Sequence, residues 1–214
     1  FFGKEEDILL VKGSGANLAT LEAKDFTKLN LQKLIKLVEF EEIDDVNLVS
    51  QQRLAMYNPD APRPSVETLL HAIIPFDWID HTHADAVVTL TNTPSGEDLI
   101  RELYKDKIII IPYIKPGFKL ARKVCKITQN IDWRKYEGMI LLKHGIFTFA
   151  ESAKESYDRM IDLVSKAEEF FIDNNKGFLS KSKNFHSKKV EKIDVTERNN
   201  LLDLAFIRRK VSEI

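Results

Sequence analysis

Two histidines separated by one residue, His81 and His83, lie in the run Trp78-Ile-Asp-His-Thr-His-Ala-Asp-Ala-Val-Val-Thr-Leu90. The run reads as a strand. Side chains two apart on a strand project from one face, close enough to grip one cation. A third histidine, His144, follows the apolar run Ile140-Leu-Leu-Lys143 and precedes Gly145. A single histidine on an apolar strand more often packs than ligates. Three at strand positions that can converge fit a catalytic zinc, which takes three protein ligands and keeps one position open. His71 is expected to pack on a helix face beside Val66, Leu70 and Ile74, and His186 lies among lysines.

Glu67 stands two residues after Ser65, in the first turn of a helix expected over 65–74. An acid there complements the helix dipole without any catalytic role. The histidine run comes straight after that helix, so the carboxylate is expected near the cation as a general base, or as a fourth ligand while the site is empty. Ser14 and Gly15, in the turn Gly13-Ser-Gly15 after a strand, and Ser65 at a helix N-terminus suit an anion. Each alone is more often a turn or a cap. Together they suggest a phosphorylated substrate, with Lys12 adding charge.

These residues need a scaffold. Strands are expected at 7–12, 17–22, 78–90, 107–113 and 138–149, the last as one strand or two around Gly145. Helices are expected at 29–39, 50–56, 65–74, 95–104, from Pro116 onward, and at 152–171 behind the capping box Ser152-Ala-Lys-Glu155. The stripe on the last of these runs through Tyr157, Met160, Ile161, Val164, Ala167 and Phe171. Strands alternating with helices give a layered α/β domain over residues 1–173. Lysine and serine dominate a flexible basic connector at 174–195. A C-terminal helix at 196–214 is expected to dock on the domain or on a neighbouring subunit.

The 214 residues are 43% hydrophobic and 30% charged with a formal net charge of -1, which gives no reason to expect a nucleic-acid or membrane partner. No apolar run reaches the ~20 residues of a membrane span. The single cysteine, Cys125, allows no internal disulfide and suits a reducing cytoplasm. No Gly-x-Gly-x-x-Gly follows a strand, so dinucleotide binding is not expected. The chain opens at Phe1, which suggests a missing upstream segment.

The segments Val11-Lys-Gly-Ser-Gly15, Pro64-Ser-Val-Glu-Thr-Leu-Leu-His71, Ile79-Asp-His-Thr-His-Ala-Asp85, Ile111-Pro-Tyr113 with Pro116-Gly-Phe118, and Leu142-Lys-His-Gly145 carry a resemblance. From Leu9 to about Phe171 the chain resembles the class II aldolase/adducin family. Its Pro-Ser-Val-Glu-Thr-Leu-Leu-His and Asp-His-Thr-His segments are most similar to the rhamnulose-1-phosphate aldolase portion of bifunctional aldolase/alcohol dehydrogenase proteins. The resemblance implies a three-layer α/β/α fold around a mixed, mostly antiparallel sheet. It implies Zn2+, or another divalent transition metal, on His81, His83 and His144. Glu67 becomes the catalytic acid/base, and Ser14, Gly15 and Ser65 hold the substrate phosphate. It also implies a homotetramer with active sites at subunit interfaces, to which Tyr113 is lent by a neighbour. The expected reaction is cleavage of a ketose 1-phosphate to dihydroxyacetone phosphate and an aldehyde. The rivals are epimerisation, dehydration or decarboxylation on the same scaffold, a metal-binding member without activity, and a non-catalytic adducin-like module. The family's upstream Gly-Asn phosphate loop is not in the sequence. No dehydrogenase domain follows residue 214, so no nicotinamide chemistry is expected.

Overall fold

The structure, a computed structural model, describes residues 5–181, with side chains to Asp173. Residues up to Phe171 pack as one compact unit. Its centre is a four-stranded sheet in the order β3-β6-β5-β4, built from β3 (Trp78–Thr82), β4 (Ile108–Ile111), β5 (Gly138–Leu141) and β6 (Gly145–Ala150). The β3/β6 and β5/β6 pairs are antiparallel and the β4/β5 pair is parallel, so the sheet is mixed and mostly antiparallel.

Period-two alternation sends successive side chains to opposite faces, and each face has its own core. Ile109, Ile111, Met139, Leu141, Phe147 and Phe149 point to one face. There they meet α1 (Leu31–Leu37), α2 (Asp45–Ala55), α3 (Thr68–Ile73) and α6 (Phe118–Thr128). Ile108, Ile140, Leu142 and Ile146 point to the other. They meet α4 (Asp85–Thr91), α5 (Gly96–Tyr104) and α7 (Ala153–Lys181). Both sheet faces are thus covered by helices, as the α/β/α expectation requires. Two buried hydroxyls in the second layer are satisfied: Tyr104 donates to the Leu163 carbonyl at 2.7 Å and Thr148 to the Ser156 carbonyl at 2.9 Å.

A separate antiparallel pair, β1 (Ile8–Lys12) and β2 (Phe26–Asn30), packs against the first layer. The expected strand at 17–22 instead holds a 3-10 turn at Leu18–Thr20, and a second follows it at Ala23–Asp25. Local side chains decide this. The Asn17 side chain accepts from the Ala19 N–H, and Glu22 and Asp25 form a reciprocal cap. The strand that does form, β2, hides its alternation because one inward position is Thr27, fully buried, whose hydroxyl donates to the Pro62 carbonyl. The expected helix from 29 therefore starts at Leu31, capped by the Asn30 side chain.

The strand expected over 78–90 stops at Thr82, and α4 follows at Asp85. The β-branched residues of Asp85-Ala-Val-Val-Thr-Leu-Thr91 favour a strand by propensity. Burial of Val87, Leu90 and Thr91 at helical spacing overrides it. On α7 the buried stripe is Ser156, Met160, Leu163 and Ala167, while Tyr157 and Ile161 of the expected stripe face outward. The α7 backbone continues past Phe171 to Lys181. The rest of the expected connector and the C-terminal helix lie outside the described residues. Among the described residues no helix is long and apolar enough to cross a membrane.

Candidate metal centre

Four side chains from three parts of the chain meet at one end of the sheet. His81 lies on β3 and His83 just beyond it. His144 sits in the turn between β5 and β6, and Glu67 is the N-cap of α3. One ligand atom from each falls within 4.8 Å of all the others. The Nε2 atoms of His81 and His83 are 3.0 Å apart. The Glu67 carboxylate reaches the Nε2 of His144 at 2.5 Å, of His81 at 3.3 Å and of His83 at 3.9 Å. His144, His81 and Glu67 are largely enclosed, while the His83 side chain is 60% exposed, so the cluster opens to solvent past His83.

Local structure makes this convergence. The Ile146 carbonyl can only accept, so His81 donates to it from Nδ1, at 3.0 Å. A neutral imidazole that donates from Nδ1 turns a lone pair outward at Nε2. The His81 ring also stacks on Phe147, its partner across the sheet, with centroids 4.0 Å apart and planes 14° off parallel. Gly145 is required by the close approach of the two segments. A Cβ there would lie 2.5 Å from the Thr82 carbonyl oxygen and 2.9 Å from His83 Cδ2.

The electrostatics suit a cation. Burial alone would raise the Glu67 carboxyl, but when the imidazoles carry a second proton in place of an ion, hydrogen bonds from His144 and His81 outweigh it and hold the group well below the usual carboxylate range. Burial lowers His83, and the charges of His81 and His144 lower it further, favouring the neutral ring that ligates. Three imidazole nitrogens and one carboxylate, with lone pairs aimed inward and one open side, match the donor set of a catalytic zinc site. The residues present therefore fit a divalent ion. His71 lies outside the cluster, edge-on to Phe147 with centroids 5.4 Å apart.

The expected anion elements are brought together but are partly engaged. Gly13 bridges to Pro64, and the Ser14 N–H donates to the Arg63 carbonyl at 2.7 Å. The turn closes through the Ala16 N–H to the Gly13 carbonyl at 3.3 Å, with Gly15 at φ +83°, a left-handed position that favours glycine. Lys12 folds over this turn and donates to the Gly13 and Ala16 carbonyls at 3.0 and 2.9 Å. The Ser65 hydroxyl accepts from the Glu67 N–H at 3.2 Å, so Ser65 caps the turn that leads into α3, and Glu67 occupies the N-cap itself. Tyr113 lies two residues beyond β4 and is 57% exposed. Sequence reasoning missed the residues behind the ligands: Phe147 and the Ile146 carbonyl behind His81, and Thr91 and Lys143 beside His144. No motif marks them.

The family model of the class II aldolase and adducin N-terminal domain matches residues 3–170. This chain belongs to the class II aldolase/adducin family. A structure of the N-terminal class II aldolase domain of a conserved protein from Thermoplasma acidophilum is 37% identical to it. Their TM-score is 0.70, over 77% of this chain and 75% of that one. Uncharacterized oxidoreductase YuxG of Bacillus subtilis (strain 168) is 30% identical over 215 residues, which take in 100% of this chain and 30% of that protein. This chain therefore spans under a third of that relative's length. A sugar-phosphate aldolase from Thermotoga maritima shares the fold at 18% identity and a TM-score of 0.52, over 86% of this chain and 78% of that one.

Proposed function

We propose that this chain is a zinc-dependent aldolase that cleaves a ketose 1-phosphate, similar to rhamnulose 1-phosphate, to dihydroxyacetone phosphate and an aldehyde. One observation carries the reading: three histidine side chains and the Glu67 carboxylate converge at a mouth open past His83, in a chain of the class II aldolase/adducin family. A divalent ion held by His81, His83 and His144 supplies Lewis acidity toward the ketone oxygen.

The chain's own residues do the rest. Breaking the carbon–carbon bond leaves an electron pair on the carbon that becomes part of dihydroxyacetone phosphate. That carbon needs a proton, and Glu67 is the carboxylate placed to deliver it; in the condensation direction Glu67 removes it. Glu67 occupies the ligand nitrogens' open side in the free chain, so substrate takes its place there and turns the carboxylate toward carbon. The Ser65 hydroxyl accepts from the Glu67 N–H and keeps its own hydrogen to donate to a phosphate oxygen. Ser14, Gly15 and the Lys12 ammonium supply the other side of that anion site. Tyr113 is exposed just beyond β4. It suits a role lent to a neighbour in a homotetramer, and sedimentation velocity reads that assembly, with a monomer at working concentration contradicting it.

The word oxidoreductase in the name of the Bacillus relative describes a protein of which this chain covers 30%, and the present reading rests on the cluster instead. Epimerisation, dehydration and decarboxylation of sugar phosphates use the same proton transfer beside a metal. A panel of ketose and aldose phosphates, offered to zinc-loaded protein, separates them. Release of dihydroxyacetone phosphate from a ketose 1-phosphate is the expected result. A panel in which only epimers, dehydrated sugars or carbon dioxide form would contradict it.

A further inference from the structure

His144 differs from His81 in what holds it. His81 is fixed by a hydrogen bond on Nδ1 and by a stacked ring. The Nδ1 of His144 is buried and meets no hydrogen-bond partner among the described residues. Outer partners normally orient a ligating imidazole. Apart from Glu67 on its Nε2, His144 is directed by its backbone.

That backbone is the short connection between β5 and β6, Leu142-Lys143-His144. The His144 N–H donates to the Leu141 carbonyl at 3.1 Å and the Leu142 N–H to the Ile111 carbonyl at 3.0 Å. Between them Lys143 sits at φ +63°, a left-handed conformation that is unfavourable for a residue with a Cβ. Such a conformation persists only where its surroundings impose it. The Lys143 N–H donates to the Thr91 hydroxyl at 3.0 Å. Thr91 is buried at the end of α4, and its hydroxyl donates in turn to the Val88 carbonyl at 3.0 Å. A hydroxyl has one proton to give. With that proton committed to Val88, the oxygen is an oriented acceptor for Lys143. The helix α4 starts two residues after His83. It therefore runs from the segment carrying one ligand to the hydroxyl that fixes the turn carrying another.

We propose that Thr91 is a positioning residue of the metal centre: its hydroxyl holds Lys143 in the left-handed conformation and so sets the direction of His144. This rests on the three-histidine reading above. It assigns no role to the Lys143 ammonium, which is exposed. A threonine that bonds its own helix is ordinarily only structural, so metal affinity is the property that distinguishes the two roles.

The test is competition for Zn2+ between the full chain and a chromophoric chelator, with the visible spectrum of the Co2+-loaded protein as the second readout. Thr91→Val should weaken zinc binding by about 10–100-fold and change the cobalt spectrum, and Thr91→Ser should restore both. Lys143→Gly and Lys143→Asn should bind like wild type, because both residues accept a left-handed backbone. Lys143→Val should bind weakly, although its side chain touches no core. Wild-type affinity in both Thr91→Val and Lys143→Val overturns the proposal while leaving the metal reading intact. If Thr91→Val does not fold, equal affinity of Lys143→Gly and Lys143→Val overturns it. A wild-type chain that binds no ion overturns both.

Discussion

Glu67 has two roles that pull in different directions. In the free chain it is an anion that answers the imidazoles. In the proposed reaction it is a proton carrier. A substitution that keeps shape and removes charge separates them: Glu67→Gln should retain zinc and fold while losing about 10²–10⁴-fold in rate. Exchange of a dihydroxyacetone phosphate proton with solvent isolates that step, and near wild-type exchange in the variant would reduce Glu67 to a helix-terminal acid. His71 makes a second prediction. Burial, and after it the charge of His81, lower this ring to about 4, with Glu67 acting weakly in the opposite sense. The unfolded chain then binds the proton more readily between about pH 6.5 and about pH 4. Stability from the neutral ring is present above that window and is lost as pH falls through it, at no more than about 1.4 kcal/mol per pH unit for one group. Replacing it with a side chain that does not titrate, His71→Gln, should flatten the slope of denaturant stability against pH in that window. An unchanged slope would show that His71 does not titrate there.

At the scale of elements, the chain shows which signals are local and which are not. His81 and His83 were legible because their spacing and the apolar residues around them fix one face, although the strand is shorter than its β-branched composition suggests. Their neighbour α4 was not legible, because its helical form depends on burying Val87 and Leu90 in a layer that also draws on Ile140, Ile146, Met160 and Leu163, far along the chain. The link from Thr91 to Lys143 spans 52 residues and involves a backbone N–H, which no residue type announces. Ser65 was read as a helix cap and is found capping the entry turn through the Glu67 N–H. That placement refines its test. Ser65→Ala should loosen the turn under Glu67, by about 1 kcal/mol as caps do, and lower kcat/KM on every substrate. On a phosphorylated ketose it should cost a further amount of about 0.5–3 kcal/mol relative to the free sugar, the upper part applying to a charged acceptor. Equal losses on both sugars would leave Ser65 as a cap alone.

For the whole molecule, the layered fold follows from alternation: each inner strand of the sheet feeds two cores, and helices must close both. The sheet brings the ends of β3, β5 and β6 to one edge of the unit, where the histidines meet. The family match over residues 3–170 spans both cores and all four clustered side chains. The order of the strands could not be read from the sequence, because hydrophobic alternation tells which face a residue takes and not which strand lies beside it. The central claim is that this unit exists to hold one metal ion for carbon–carbon cleavage. Elemental analysis, run beside the aldolase assay on wild type and His83→Ala, tests it most directly. About one divalent ion per wild-type chain is expected, in the pattern of catalytic zinc sites, with ion and cleavage lost together in the variant. A metal-free wild type with full activity, or one that stays well below one ion per chain after zinc reconstitution, would contradict the claim.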